Sequence, residues 1–202
     1  MTLHTICLHD VAPQPWKNGG GETRELLTWP QKSGWALRLS VADVTRNGPF
    51  SEFKNIRRWI AVLEGTGMRL GEPFNHSVVA GMPPFPFDGQ YAAPCELIDG
   101  PTRDLNLMID SQQGKGEMRA LSSAPSAQTF VPLHARHDES PPNIVGVFCL
   151  SEIEIQTLEA QLAAPPCSLV WSDDDTRSWQ AHFAGQAWTF QCTLNAPSTS
   201  ES

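Results

Sequence analysis

Hydrophobic and polar positions alternate with period two along much of this chain. The clearest run is Trp35-Ala36-Leu37-Arg38-Leu39-Ser40-Val41-Ala42, whose odd positions are large and apolar and whose even positions are Ala, Arg, Ser and Ala. Such alternation predicts a strand in a sheet with one packed face. It leaves Arg38 and Ser40 either in solvent or in a cavity. Asp104-Leu105-Asn106-Leu107-Met108-Ile109 repeats the pattern, with Asp104 and Asn106 on one face and Leu105, Leu107 and Ile109 on the other. Further strands are predicted from Leu3 to Val11, Thr23 to Trp29, Arg58 to Leu63, Met68 to Leu70, Cys95 to Ile98, Phe148 to Ile155 and Trp188 to Leu194. Turn signals stand between them at Asn47-Gly48-Pro49, Glu64-Gly65-Thr66-Gly67, Asp88-Gly89 and Asp99-Gly100. Pro83 to Phe87 reads as a Pro/Phe-rich connection, and only Thr157 to Ala163 invites a helix, a short one.

The polar, Gly-containing stretch from Asp110 to Glu117 reads as a linker. It divides the chain into a unit over 1–110, a unit over 118–195 and a Pro/Ser tail over 196–202, expected to be disordered. The second unit echoes the first. Ile153 and Ile155 alternate as Met68 and Leu70 do, and Pro165-Pro166 follows as Pro83-Pro84 does. Many short strands with regular turns imply a sandwich or barrel. The expected fold is therefore all-β, two small β-barrels or jelly rolls packed together.

Composition narrows the class. The 202 residues are 40% hydrophobic and 18% charged, which marks a globular chain. The formal charge is −8, and the acidity lies in the second half. No basic stripe is visible, so nucleic acid is not an expected partner. The five cysteines are odd in number and form no Cys-x-x-Cys, which reads as free thiols in a reducing compartment. No signal peptide and no run of about 20 apolar residues appears, so no membrane partner is expected and the expected location is cytoplasmic.

The stretch Pro15-Trp16-Lys17-Asn18-Gly19-Gly20-Gly21-Glu22-Thr23-Arg24-Glu25 carries the most distinctive chemistry. A glycine run can turn successive N–H groups into a concavity that favours anions. With Lys17 and Arg24 alongside, Gly19 and Gly20 could hold a small acidic ligand; the alternative is a glycine-rich hairpin with solvated charges. The spacing fits neither the phosphate loop nor the dinucleotide fingerprint. No Ser-His-Asp order or nucleophile elbow is present.

Residues 15–25 together with Trp35-x-x-Arg38-x-Ser40-x-Ala42, Gly48-Pro49-Phe50-Ser51-x-Phe53, Arg58, Leu63-Glu64-Gly65-x-Gly67, Pro86-Phe87-x-Gly89 and Asp99-Gly100-Pro101-x-x-Asp104-x-Asn106-x-Met108 resemble the HutD/Ves family. The resemblance covers residues 15–108. It departs where the family often has Pro-Gly after the Phe at position 53 and this chain has Lys54-Asn55. It implies a cupin-like (bicupin-like), two-barrel all-β fold in a cytoplasmic bacterial protein associated with histidine utilisation. It further implies a modulator that senses a pathway intermediate, with an acidic product such as formylglutamate as ligand.

The motif residues then form a candidate ligand-binding set. Lys17, Arg38 and Arg58 are cations, and an Arg fork suits a carboxylate. Asn18, Thr23, Ser40, Ser51 and Asn106 are neutral hydrogen-bonders, Glu25 and Asp104 can orient the cations, and Phe50 and Phe87 can wall the pocket. Convergence depends on strand register, because a one-residue slip reverses every side chain. Each polar residue also has an ordinary role in cross-strand pairs or turns.

Metal-binding cupins resemble one another in a His-x-His pair with a later Glu and His. Here His76 stands alone and His134 and His137 form the one close pair, so no metal and no cofactor is expected. Two rival functions stand beside the sensor. One is a metal-independent hydrolase or isomerase acting on a small carboxylate, using Glu25 or Asp104 as base and Arg38 or Lys17 as electrophile. The other is a protein interaction module, with Trp16, Trp29 and Trp59 as its patch, or a homodimer.

Overall fold

The computed structural model describes residues 2–30, 34–122, 128–130, 143–158, 160–173 and 179–195. In the first half the strands are β1 (His4–Cys7), β2 (Gln14–Pro15), β3 (Gly21–Trp29), β4 (Leu37–Val44), β5 (Gly48–Pro49), β6 (Ile56–Glu64), β7 (Gly67–Leu70), β8 (His76–Val79), β9 (Phe85–Asp88), β10 (Pro94–Ile98) and β11 (Thr102–Asp110). The second half adds β12 (Gly114–Ser122), β13 (Gln128–Phe130), β14 (Asn143–Cys149), β15 (Ile153–Gln156), β16 (Gln161–Ala164), β17 (Ser168–Ser172), β18 (Trp179–Phe183) and β19 (Gln186–Leu194). Among the described residues there is no α-helix, only a 3-10 turn at Leu8–Asp10.

The strands form four antiparallel sheets. Sheet 1 is β5-β10-β7-β8, sheet 2 is β2-β3-β4-β11-β6-β9, sheet 3 is β1-β17-β14-β19-β12 and sheet 4 is β13-β18-β15-β16. The halves repeat strand for strand. Adding eight to each number turns β4-β11-β6-β9 into β12-β19-β14-β17, and β5-β10-β7-β8 into β13-β18-β15-β16. Each half is an eight-stranded jelly roll of two facing open sheets, a cupin-like fold present twice. The echo in the sequence falls on matching elements: Met68 and Leu70 lie on β7, Ile153 and Ile155 on its counterpart β15. Pro83-Pro84 and Pro165-Pro166 fall in matching connections. The first strand, β1, pairs with β17 and so joins sheet 3.

Alternation sets the layers. On β4, Leu37, Leu39 and Val41 face sheet 3, as do Trp59, Ala61 and Leu63 of β6 and Leu105, Leu107 and Ile109 of β11. They pack against Ile144, Phe148, Leu169, Trp188 and Phe190 of sheet 3. Each fully buried aliphatic side chain there contributes roughly 1.5–3 kcal/mol relative to exposure. The other face of sheet 2 packs on sheet 1 through Ile60, Val62, Met68, Leu70, Val78 and Phe87. Sheets 3 and 4 close on Val147, Val170, Ile153, Ile155 and Trp179.

Four sequence expectations are corrected. Thr157 to Ala163 is not a helix but the turn and second strand of a β15–β16 hairpin: the Ala160 N–H donates to Thr157 Oγ1 at 3.0 Å, and the Thr157 N–H to the Ala160 carbonyl at 2.8 Å. Thr157 fixes a turn where continuing helix needs free backbone donors. The linker is shorter than 110–117, because β12 begins at Gly114. Asp110 caps the turn, accepting from Gln112 N at 2.9 Å and Gln113 Nε2 at 2.6 Å. Phe85-Pro86-Phe87 is an edge strand rather than a connection, and Pro86 is tolerated there because an edge position needs no second ladder bond. The first strand ends at Cys7, where the 3-10 turn takes over. The tail over 196–202 and the His134/His137 pair lie outside the described residues.

Candidate functional site

Register places the polar positions of sheet 2 in rows on the face turned toward sheet 1. One row runs Arg38, Met108, Arg58, Phe87 across β4, β11, β6 and β9. The next runs Glu25, Ser40, Asn106, Ile60, Phe85, starting on β3. A third runs Thr23, Ala42, Asp104, Val62. Over these rows, up to Thr23 and Ala42 of the third, lies a cavity of about 470 Å³, lined by Gln14, Pro15, Trp16, Lys17, Asn18, Thr23, Arg38, Ser40, Ala42, Pro49, Phe50, Ser51, Phe53, Arg58, Asn106 and Met108. That volume lies within the span of small-molecule sites, roughly 300–1,000 Å³.

Arg58 dominates the electrostatics. It is 4% exposed. Its guanidinium carbon stands 4.8 Å from the Phe87 ring, 5.0 Å from Phe50 and 5.6 Å from Phe53. Cation–π attraction of this kind is worth about 0.5–2 kcal/mol per ring. Arg58 Nε has no hydrogen-bond partner among the described residues. Burial pulls its pKa down to about 10, against the opposing pull of Asp104 and with a smaller contribution from Arg38. Arg38 differs: Glu25 Oε2 lies 3.1 Å from its Nε, an ion pair that is not aligned as a hydrogen bond.

Asp104 stands on the same face in the third row, fully buried beside the cavity, and neither of its oxygens has a hydrogen-bond partner among the described residues. Burial raises its pKa to about 7, offset by Arg58 and reinforced by Asp43. Asn106, 6% exposed, turns an unpartnered Oδ1 into the same region. The site thus combines a buried donor without an acceptor and buried acceptors without donors, which native interiors seldom leave so.

The glycine stretch forms the hairpin that walls the cavity. Gly19 sits at φ 67°, in the left-handed region that glycine adopts freely. Asn18 Oδ1 accepts from the Gly20 N–H at 3.0 Å, and the Gly20 carbonyl accepts from Thr45 N at 2.9 Å. Gly19 and Gly20 therefore shape the turn and do not line the cavity. Trp16 Nε1 donates to Thr23 Oγ1 at 2.7 Å and fixes the indole over the site. A Cβ on Gly21 would stand 2.3 Å from the Asp43 carbonyl oxygen. Gly21→Ala is expected to cost about 1–3 kcal/mol through this clash, read as a lowered urea midpoint, and to loosen the Trp16 wall.

Arg24 does not join the site. It lies on the opposite face of β3, 2.6 Å from Asp43 and 2.8 Å from Glu22. Arg103 continues that network to Asp43 at 2.6 Å and Glu64 at 2.8 Å. Of the other motif residues, Lys17, Asn18, Thr23, Arg38, Ser40, Ser51, Arg58 and Asn106 line the cavity, Glu25 pairs with Arg38, and Phe87 lies against Arg58. The three tryptophans form no common surface: Trp59 is buried and Trp29 packs with it toward sheet 3, while Trp16 lines the cavity. Gln14, Pro15, Ala42, Pro49, Phe53 and Met108 are further lining residues. The period-two pattern that marks Ser40 and Asn106 also marks Ala42 and Met108. At the departure from the family pattern, Asn55 takes φ 63° and so supplies the left-handed turn that glycine would. Among the described residues no three His, Cys, Asp or Glu side chains gather as a metal site, and the arginines of the cavity would repel a cation.

The fold agrees with what the chain is similar to. It is 35% identical over 140 residues to an uncharacterised 21.2 kDa protein in the hutC 3′ region of Pseudomonas putida, spanning 63% of this chain and 73% of that one. It is 33% identical over 116 residues to protein Ves of Cronobacter sakazakii, spanning 54% of this chain and 64% of that one. The structure of HutD from Pseudomonas fluorescens SBW25 superposes with a TM-score of 0.77 at 25% identity, over 96% of this chain and 100% of that one. The HutD family model matches residues 8–189, so the chain belongs to the HutD family, whose link is to histidine utilisation.

Proposed function

We propose that the cavity of the first jelly roll binds a small acidic metabolite of histidine breakdown, with formylglutamate as the first candidate. In this reading the protein is a non-enzymatic, cytoplasmic sensor that modulates the pathway. The observation that carries it is Arg58, a buried guanidinium lining a cavity with its Nε unpartnered. A ligand carboxylate would supply the missing acceptor, and a charge-assisted bond of this kind is worth roughly 1.5–3 kcal/mol. Asn106 Oδ1 would accept from an amide N–H of the same ligand, and Lys17 adds a cation at the mouth.

Asp104 supports a second reading, a metal-independent enzyme acting on a small carboxylate. A buried carboxyl with its pKa near 7 suits proton transfer. Its place beside the cavity, outside the cavity lining, favours the sensor.

The test is a thermal-shift series on chelator-treated protein with formylglutamate, urocanate, histidine, glutamate and formamide. A ligand at 100 times its Kd adds about 2.7 kcal/mol, a rise on the order of 5–10 °C for a domain this size. A selective rise with one acidic compound, without turnover of it, is the expected result. Turnover would select the enzyme, and no rise with any compound would overturn the ligand site.

A further inference from the structure

The duplication points to a strand left uncovered among the described residues. In the first half β4 is paired on both sides, by β11 and by the nine-residue β3. Its counterpart in the second half is β12, also nine residues long. One side of β12 pairs with β19 over its whole length, from Gly114 opposite Leu194 to Ser122 opposite Gln186. Among the described residues no strand covers the other side. The remaining sheet edges are short: β1, β8, β9 and β16 have four residues, β13 three, and β2 and β5 two. Pro15 on β2, Pro49 on β5 and Pro86 on β9 further blunt three of them. β12 carries no proline, so it presents a long ladder of backbone donors and acceptors of the kind that templates pairing.

We infer that the open edge of β12 pairs antiparallel with β12 of a second copy, joining two five-stranded sheets into one across a two-fold axis. The side chains point to this occupant. In a two-fold antiparallel pair, only one register overlaps all nine residues, and it is centred on Met118. That register sets Glu117 opposite Arg119 of the second copy, twice by symmetry, with Gly116 opposite Ala120 and Gly114 opposite Ser122. Opposite charges directly across a pair favour it, and small residues let the backbones approach. Shifting the centre to Glu117 would set Glu117 against its own copy and Lys115 against Arg119, both like-charge pairs. Within one chain Arg119 Nη2 already lies 2.9 Å from Glu117 Oε1. The four charges would thus form one alternating cluster across the axis. Met118, 5% exposed in the core between sheets 2 and 3, would meet its own copy and continue that core. The contact is isologous, so it closes at two copies and does not propagate.

The test is the mass in solution of the full chain, by light scattering after size exclusion across a range of concentrations. Wild type is expected at twice the chain mass. Glu117→Arg and Arg119→Glu each replace both cross-axis attractions with repulsion, and each should weaken the dimer about 10–100-fold. The double variant restores both pairs in reverse order and should restore the dimer. Amide exchange over residues 115–121 is the second readout, because it reports on the edge even where a variant folds poorly. In wild type it should slow as concentration rises. A wild-type mass equal to one chain at every concentration would overturn the proposal. So would single variants that leave the dimer intact, a double variant that fails to restore it, or exchange over 115–121 that ignores concentration.

Discussion

Replacing Arg58 with methionine is expected to separate binding from stability. The guanidinium is held out of water against three phenylalanine rings, without a hydrogen bond to its Nε. Desolvating a cation is costly, and replacing a buried charge with an apolar side chain of similar volume is often neutral or stabilising by about 1–4 kcal/mol. Methionine fills similar space and suits aromatic surroundings. The one nearby anion that would lose its cation is Asp104, which burial already holds near neutrality. At pH 6 the variant should therefore unfold at the same temperature as wild type or above it. Its affinity for a small carboxylate should fall about 10–150-fold, the equivalent of one charge-assisted bond. Arg58→Lys should lose most of the same affinity, because a point charge cannot reproduce the fork. Titration calorimetry of both variants checks this, and full affinity in Arg58→Met would remove Arg58 from the site.

The second large effect is a dependence of stability on pH that resides in Asp104. Its pKa is raised in the folded chain from 3.8 to about 7, first by burial, then by Asp43, against the pull of Arg58. Between those two values the folded chain holds a proton that the unfolded chain has released. Stability from this group is therefore present at low pH and is lost as pH rises through about 7. Acid unfolding by other groups overlaps this window, so the comparison needs the isosteric neutral variant. Asp104→Asn should be more stable than wild type at pH 8 and should flatten the decline between about pH 4 and pH 7, measured by urea unfolding. The charges acting on Asp104 are those of Arg58, its pKa held at about 10, and Asp43, and the Cys95 thiol beside it is pushed up to about 12 by burial and by Asp104. Equal pH slopes in wild type and Asp104→Asn would show that the carboxyl is not the responsible group.

Much of this arrangement was legible in the sequence because one physical signal carries it. Period-two alternation on β4 and β11 places Arg38, Ser40, Asp104 and Asn106 on the faces opposite Leu37, Leu39, Leu105 and Leu107, and the register is pinned by burial of those leucines. Whether the polar face meets water or a cavity is decided by sheet 1, whose four strands are short and distant in sequence. Alternation cannot show that. Nor can it show that Arg24, which alternation turns away from Thr23 and Glu25, meets Asp43 on the far face. The same blindness explains the hairpin at Thr157: a polar stretch between apolar residues fits a short helix until a side-chain hydroxyl closes the turn. That Arg58 lines the cavity while Asp104, on the same face, is closed off beside it follows from tertiary packing.

The middle position of sheet 2 has a mechanical meaning. Its strands β4, β6 and β11 carry cavity residues on one side and interlock with the second half on the other, so they have no solvent-facing side along which to yield. Asn106 and Leu107 are neighbours on one chain, yet the first looks into the cavity and the second into the joint between the halves. A strand is stiff along its length, and a pleat displaced on one side is displaced on the other. Any occupant that pushes on the floor thus also pushes on Phe148, Trp188 and Phe190. The second jelly roll, whose interior is filled by Trp179, Ile153 and Ile155, is therefore the packed body on which the cavity floor rests.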